Sequence, residues 1–499
     1  MNQLFLGIDL GTSAMKLVLV DSEKHVIAQT CVEYQAEQPK SEWNEIDTEV
    51  WYRCMIAGME EILEGQDSSR VKGIGVTGQM HTLVVLDDKG KVVRPAIMWN
   101  DTRTKMLIPE MKETMMKFED GEYLSRTIST GSPAANLYWL KLHEPEHFEK
   151  IRMFLIGPDY LVYRLTGNYS TDYCEASTSC LYQMKDQVWS EEMREFLGLP
   201  REAYPPVHGS ALPAGVVKPE IARHFSFGNE VRVLVGTGDN PATAISTGCL
   251  GRGYPVISLG TSGVLVMPVT HPEAQARGKM VLFSFDDESF SYLVQGTVQS
   301  NGSTFDWWVK CIMGDEEYKE VDITVDAECA AANVIFYPHL MGDKTLYADP
   351  NIRGAFIGLS PETDRAGMLY AVIEGLCFGF RELAETMRLP LHDFESVKVV
   401  GGGSRNRLWM QTLSNVLNIR IEKLDGMIGP AFGIAMLAAY QGGCADSLET
   451  ISDGAIEIEQ VFEPQPEAVE RCEKKYRRYV RIHEALAYIE GEDTDGKIL

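Results

Sequence analysis

The sequence predicts an α/β protein built from two related domains, and three observations carry that expectation. The tetrapeptide LGTS stands at Leu10–Ser13 and again at Leu259–Ser262, one copy in each half of the 499 residues. Each copy sits between short apolar runs, FLGIDLGTSAMKLVLVD and YPVISLGTSGVLVMPV, the pattern of a strand, a tight glycine turn and a returning strand. Helical patterns follow the strands in both halves, and a chain of this length is too long for one core. Two domains are therefore expected, at 1–245 and 246–499, the first carrying a mostly helical, irregular insertion over about 104–230.

The elements follow in order. Strands are expected at 4–10 and 15–20, with a third apolar stretch near 26–34. A helix pattern runs from Thr48 to Leu63, with Asp47 positioned as its N-cap. Strands at Val71–Thr77 and Thr82–Leu86 flank the tetrapeptide Gly78–His81, and a turn follows at Asp87–Gly90. After the insertion a strand at Val231–Val235 leads into GTGDNP and a helix, then into the second LGTS hairpin. Leu369, Ile373, Leu376, Phe380, Leu383 and Met387 keep helical spacing over Ala366–Met387. The strand Ser396–Val400, the turn GGGSRN and a helix over Arg407–Leu417 come next. One amphipathic helix is expected over Glu467–Tyr488, with Val469, Cys472, Tyr476, Tyr479, His483 and Leu486 on a stripe that packs against a domain.

Composition narrows the function classes. A formal charge of −26 disfavours nucleic acid or an anionic membrane as partner, since both reward a basic face. It leaves room for an anionic nucleotide, which backbone N–H groups, one lysine and a divalent ion can hold locally. No apolar run nears the roughly 18 residues of a membrane span, and the chain enters a strand without a basic, apolar leader. A cytoplasmic protein is expected. The ten cysteines show neither a CxxC pair nor zinc spacing, and Cys249, Cys311 and Cys377 lie in apolar surroundings, which suits free core thiols.

Five constellations could carry chemistry. In the first, Asp9 precedes Gly11-Thr12-Ser13 and Lys16 follows: the turn offers backbone and hydroxyl donors to phosphate oxygens, Asp9 can hold hydrated Mg²⁺, and Lys16 adds a charge. Such turns also close ordinary hairpins. The second copy, Gly260-Thr261-Ser262-Gly263, could clamp a phosphate chain from the other side, with Ser258 standing where the first copy has Asp9. The third, Gly401-Gly402-Gly403-Ser404-Arg405-Asn406, bares backbone on which a nucleobase or phosphate could lie, with Ser404 available as a helix cap; a tight strand-to-helix turn needing positive φ is the alternative.

The fourth is Gly236-Thr237-Gly238-Asp239-Asn240-Pro241, where Asp239 is expected at the N-cap. Capping alone would explain it, but the same carboxylate could take a proton from a substrate hydroxyl. The helix dipole is expected to lower its pKa, so it would act in a concerted transfer. The fifth joins Gln79-Met80-His81 to Trp99-Asn100-Asp101 and Arg103: polar donors and an aromatic wall, suited to a small polyhydroxylated ligand. A histidine at a strand end is also commonly structural.

In this order, the pieces resemble the FGGY family of carbohydrate kinases, on the ribonuclease H-like actin/Hsp70/sugar-kinase fold with a cleft between its two domains. The resemblance rests on DLGTSxxK, GQMH, AIMWNDTR, GPDYLVYRLTG, TDYCEAST, GTGDNPA, SLGTSG, DPNIRGAFIGLS, Glu374-Gly375 with Arg381, GGGSRN and a terminal YRRY. It implies ATP and Mg²⁺ as cofactors and a sugar as substrate, and it allows a homodimer. GQMH followed by WNDTR is similar to the branch that phosphorylates D-xylulose, while glycerol-directed members carry Arg-Glu where Met80-His81 stand here. By resemblance, Met80, His81, Asp239 and Asn240 contact the sugar, Trp99 and Arg103 lie near it, and Asp239 is the general base. Asp9 would organise Mg²⁺; Thr12, Ser13, Lys16, Gly260 and Thr261 would hold phosphates; Gly402, Gly403 and Asn406 would face adenosine. Asn136, Pro158, the stretch 342–346, Gly367 and Tyr370 depart from the family's usual residues and leave the sugar open among ketopentoses, gluconate and polyols. A non-catalytic ATP switch of the actin/Hsp70 type would use the same phosphate turns without needing the polar pocket.

Overall fold

The computed structural model describes residues 3–491 except 120, 229, 270–277, 315–332, 344, 348, 350–351, 427, 448 and 453. Strands β1 (Leu4–Leu10) and β2 (Ala14–Asp21) form the first hairpin, with Asp9 opposite Lys16, and β3 (Val26–Glu33) pairs with β2. Helix α1 (Thr48–Leu63) begins where expected: the Asp47 carboxylate accepts the Glu49 N–H at 3.0 Å. Its apolar stripe, Trp51, Met55, Met59 and Ile62, joins the core under β1 and β2.

Beside β1 run the parallel β4 (Val71–Gly78) and then β6 (Arg232–Leu234), with β5 (Pro213–Val216) at the edge and β7 (Thr237–Gly238) along the end of β4. The order is β5-β6-β4-β1-β2-β3. Because β1, β4 and β7 are parallel, their C-terminal ends, Leu10, Gly78 and Gly238, lie side by side.

The second sheet repeats this plan. Strands β8 (Val256–Leu259) and β9 (Gly263–Val269) make its hairpin, with β10 (Lys279–Ser284), β11 (Phe290–Val298), β12 (Ser396–Val400), β13 (Arg420–Gly426) and β14 (Ile456–Phe462) in the order β10-β11-β9-β8-β12-β13-β14. Outward from β8, the parallel β12 and β13 take the places that β4 and β6 take beside β1.

Within 104–230, α2 (Ile108–Met115), α3 (Gly121–Thr127) and α4 (Pro133–His143) share a core of their own. Further on, α5 (Gly157–Thr166) packs Leu161, Val162 and Leu165 into the first sheet's core, and α6 (Tyr173–Thr178) leans on β10 and β7. Helix α7 (Asp239–Ser246) follows β7 directly.

In the second half, α8 (Arg365–Thr386) is capped by Asp364 through the Gly367 N–H at 2.8 Å. Helix α9 (Arg407–Leu417) follows the triple-glycine turn. Helix α10 (Pro430–Gln441) crosses to the first sheet: a Cβ on Gly7 would stand 1.9 Å from the Ala431 carbonyl oxygen, and one on Gly75 2.6 Å from Ile434. Gly433 likewise meets Ala242 of α7, so backbone contact at three glycines joins the halves.

Three local expectations are corrected. The single tail helix is two, α11 (Pro466–Tyr479) and α12 (Ile482–Gly491); the turn between them lets both Tyr479 and Ile482 enter the second core, so the packing role holds. Cys311 is exposed rather than buried, whereas Cys249 and Cys377 are buried free thiols. Cys329 and Lys344 lie outside the described residues. Finally, α9 is capped by Asn406, whose Oδ1 accepts the Trp409 N–H at 3.0 Å, while the Ser404 hydroxyl donates back to the Gly401 carbonyl at 2.7 Å. Asn406 is the residue directly before the helix, with the extended backbone a cap requires.

Candidate active site

Asp9, Gln79-Met80-His81 and Asp239 gather where β1, β4 and β7 end. The sheet register does this: Asp9 lies beside Thr77, and Thr77 beside Thr237, so residues distant in sequence leave the sheet at one level. Gly238 has no room for a side chain, since a Cβ there would stand 2.5 Å from Met80 Cγ and 3.0 Å from Glu175 Oε1.

Asp9 is 4% exposed and its Oδ1 has no hydrogen-bond partner among the described residues. Burial pushes its carboxyl from an ordinary 3.8 up to about 7; the Asp239 charge adds to the rise and Lys16 opposes it. Asp239 is raised to about 6, chiefly by burial, against Lys279 and the backbone N–H groups of Asn240 and Asp239 itself. The expected cap and lowered pKa are thus both corrected. Gly238 is the cap residue, Asp239 is the first residue of α7, and its desolvation outweighs the N-terminal dipole and N–H groups.

The sugar-side residues are in place around this pair. Asn240 Nδ2 lies 3.5 Å from Met80 Sδ. The exposed Trp99 donates its indole N–H to the Thr12 hydroxyl at 3.1 Å, tying the aromatic wall to the first glycine turn. Arg103 is buried, its guanidinium paired with Asp101 at 2.7 Å and Glu45 at 2.6 Å and stacked over Trp43; only Nη1 lacks a partner. His81 adopts φ +70° and receives Lys279 Nζ on Nε2 at 2.5 Å. Burial, reinforced by Lys279, drives the His81 pKa well below its usual value, so the ring is neutral and Nε2 accepts.

The nucleotide-side residues form a second group. Gly260 and Thr261 present carbonyls to the N–H groups of Gly302 at 3.0 Å and Ser303 at 3.0 Å. Gly401 needs its φ of +95°, and Gly403 is closed off by Leu259 Cβ at 2.9 Å, whereas a Cβ on Gly402 would meet nothing within 4 Å. Gly402 therefore offers bare, open backbone. Among the described residues no hydrogen bond joins the turn at Gly11–Ser13 to the turn at Gly260–Ser262. Lys16 and Asp9 instead share a cavity of about 430 Å³ with Gly429, Pro430 and Ala431 at the start of α10, a helix N-terminus suited to anions.

Several groups escaped the sequence reading. Asn301 beside the second hairpin is buried with both amide atoms unpaired, the state also of Gln79 from the fifth constellation. Glu175 is buried behind Gly238 with both carboxylate oxygens unpaired, and burial with Asp159, Asp172 and Asp239 nearby raises its pKa well above the usual value. Lys279 arrives on β10 of the second sheet and belongs to no motif; only the pairing of β10 beside α6 brings it to His81.

Two α/β domains, each with a glycine-turn hairpin, and two carboxylates of raised pKa with unpaired polar groups around them suit a phosphotransferase with a small hydroxylated acceptor. Known proteins make the class specific. The model of the FGGY family of carbohydrate kinases, N-terminal domain, matches residues 4–246, and that of the C-terminal domain matches 256–442. The chain belongs to the FGGY family of carbohydrate kinases. It is 32% identical over 483 residues to the xylulose kinase of Bacillus subtilis, covering 96% of each chain. It is 27% identical over 512 residues to the glycerol kinase of Staphylococcus haemolyticus, covering 99% of this chain and all of that one. The structure described as a xyloylose kinase from Brucella ovis superposes with a TM-score of 0.88 at 29% identity, over 98% of this chain and 100% of that one. The fold is the two-domain one of the actin/Hsp70/sugar-kinase group, and the protein is an enzyme that uses ATP. No helix among the described residues is long and apolar enough to cross a membrane.

Proposed function

We propose that the protein transfers the γ-phosphoryl group of ATP to the terminal hydroxyl of a ketopentose, D-xylulose, giving D-xylulose 5-phosphate and ADP. The observation that carries this reading is the carboxylate pair, Asp9 and Asp239, at the ends of β1 and β7 on either side of β4, beside an orphaned Gln79 amide and a neutral His81. The names of full-length relatives near 30% identity support D-xylulose over another sugar.

Asp239 accepts the hydroxyl proton as the sugar oxygen bonds to the γ-phosphorus and the bond to the β-phosphate oxygen breaks. With its pKa near 6 it is ionised at neutral pH yet more basic than an ordinary aspartate, which suits a proton that leaves late. Met80, His81 and Asn240 position the sugar, and Trp99 and Arg103 wall the pocket. Thr12, Ser13, Lys16, Gly260 and Thr261 hold phosphates, and Gly402, Gly403 and Asn406 take the adenosine side. The buried, unpaired Asp9 Oδ1 fits a divalent ion that keeps its waters and phosphate oxygens as remaining ligands. Mg²⁺ held there would supply neutralising charge for the phosphates. Closure of the two domains, meeting at α7 and α10, excludes water as a competing acceptor.

An ADP-release screen tests the assignment. D-xylulose is expected to give a kcat/KM at least tenfold above D-ribulose, glycerol and D-gluconate; a higher value for any of these would move the substrate.

A further inference from the structure

Beyond His81 lies a second cavity, of about 720 Å³, between the helical insertion and the second sheet. Its walls are fixed by direct contacts: the Tyr123 hydroxyl on α3 donates to the Met280 carbonyl at 2.9 Å, and the Leu282 N–H on β10 donates to the Ser177 hydroxyl on α6 at 3.0 Å. Of the sugar-side residues only His81 lines it; Met80, Trp99, Arg103, Asp239 and Asn240 do not.

The charge of this cavity runs against that of the chain. In a protein with 72 acidic and 46 basic residues, its lining among the described residues holds Lys112, Arg126 and Lys279 and a single carboxylate, Asp343. Asp343 is already engaged, its Oδ1 accepting the Leu346 N–H at 2.7 Å and the Tyr347 N–H at 2.9 Å. None of the three cations has an ion-pair partner among the described residues. Lys279 reaches into the wall, where its ammonium contacts the His81 ring nitrogen and lies within the field of Glu175 and Asp239. Three cations against one engaged carboxylate give the described lining an excess of positive charge, which favours an anionic occupant. Ser129, Thr178 and Thr297 add hydroxyls to the same wall, the complement of a polyhydroxylated ligand.

We propose that this cavity is a binding site for a small polyhydroxylated anion, a sugar phosphate, whose phosphate meets Lys112, Arg126 and Lys279 and whose hydroxyls meet the serine and threonine wall. It adjoins the sugar site through the Lys279–His81 contact and rests on the proposed function only for the identity of that neighbour.

Lys112 and Arg126 are exposed at the rim, so their removal leaves the fold intact. Isothermal titration of the full chain without ATP or D-xylulose uses D-ribose 5-phosphate, D-ribose and inorganic phosphate as probes. D-ribose 5-phosphate is expected to bind at least tenfold more tightly than either of the others, and to lose at least tenfold in affinity for the double variant Lys112→Ala/Arg126→Ala. That variant should keep the parent's kcat and KM in the kinase assay without added anion. Equal affinity of parent and variant would overturn the site; phosphate binding as tightly as D-ribose 5-phosphate would overturn the sugar part; a tenfold fall in basal kcat/KM would assign the residues to catalysis instead. No D-xylulose enters the titration, so its outcome is independent of whether that sugar is the substrate.

Discussion

The two LGTS hairpins are the same object put to different uses. Each is an antiparallel pair whose first strand has a parallel neighbour on its other side, β4 for β1 and β12 for β8. They differ in chemistry at two positions: β1 carries Asp9, buried, with Oδ1 unpaired and its pKa raised to about 7, where β8 carries Ser258, and β2 carries Lys16 where β9 carries Leu265. The comparison teaches that architecture alone does not decide which half is reactive. A carboxylate kept out of water and close to a second one stores unfavourable energy that only substrate, metal or a proton relieves, and of the two hairpins only the first carries such a group.

The largest expected effect follows from removing the second member of that pair. Asp239→Ala should lower kcat by about 10²–10⁴ in steady-state assays, the usual worth of a general base. In the parent, kcat/KM should fall as pH drops through about 6, since Asp239 must be ionised to accept the proton. Turnover close to the parent would remove Asp239 from the role of base.

Next, Asp9→Asn should reduce Mg²⁺-dependent turnover by about 10²-fold, while sugar binding by titration changes little. The same change should stabilise the free protein. A carboxylate whose folded pKa is raised from 3.8 to about 7 penalises folding at higher pH, and the penalty shrinks as pH falls from about 7 toward 4. Thermal melts at pH 8 should therefore show Asp9→Asn more stable by about 1–3 kcal/mol, a difference that fades under acid conditions. Equal loss of turnover and stability would mean that Asp9 serves the fold instead.

Ser258→Asp tests the comparison from the other side. A carboxylate in the second hairpin should repel nucleotide phosphate and raise the KM for ATP by about tenfold with kcat less affected, about 1.4 kcal/mol of repulsion. An unchanged KM would place the nucleotide elsewhere. The smallest effect separates two adjacent glycines. Gly403→Ala must push against Leu259 and should cost about 1–2 kcal/mol in chemical denaturation, whereas Gly402→Ala, with open space at Cβ, should stay within about 0.5 kcal/mol.

Much of this was legible from residue order, because local rules governed it. Helix α1 starts at Thr48 and ends at Leu63 as its cap and stripe require, and the hairpin strands differ from expectation by a residue at most. Elsewhere a local rule met a competing one. Asp239 has the look of a cap, yet Gly238 takes that position, and burial rather than the helix dipole sets its acidity. Ser404 and Asn406 were both eligible to cap α9, and the choice fell to the residue with extended backbone beside the first turn.

By itself, then, the sequence determined the repeated α/β plan, the family, and the motifs that hold Asp9, Met80, His81 and Asp239, since periodicity, turn chemistry and motif spacing are written in neighbouring residues. Tertiary structure decided what those residues experience. The parallel register of β1, β4 and β7 brought two carboxylates within each other's field. The approach of α10 to Gly7 and Gly75 set a second-half helix against the first sheet, and β10 carried Lys279 to His81. Each of these depends on desolvation and contact between segments far apart in the chain, quantities that exist only once the chain has closed on itself.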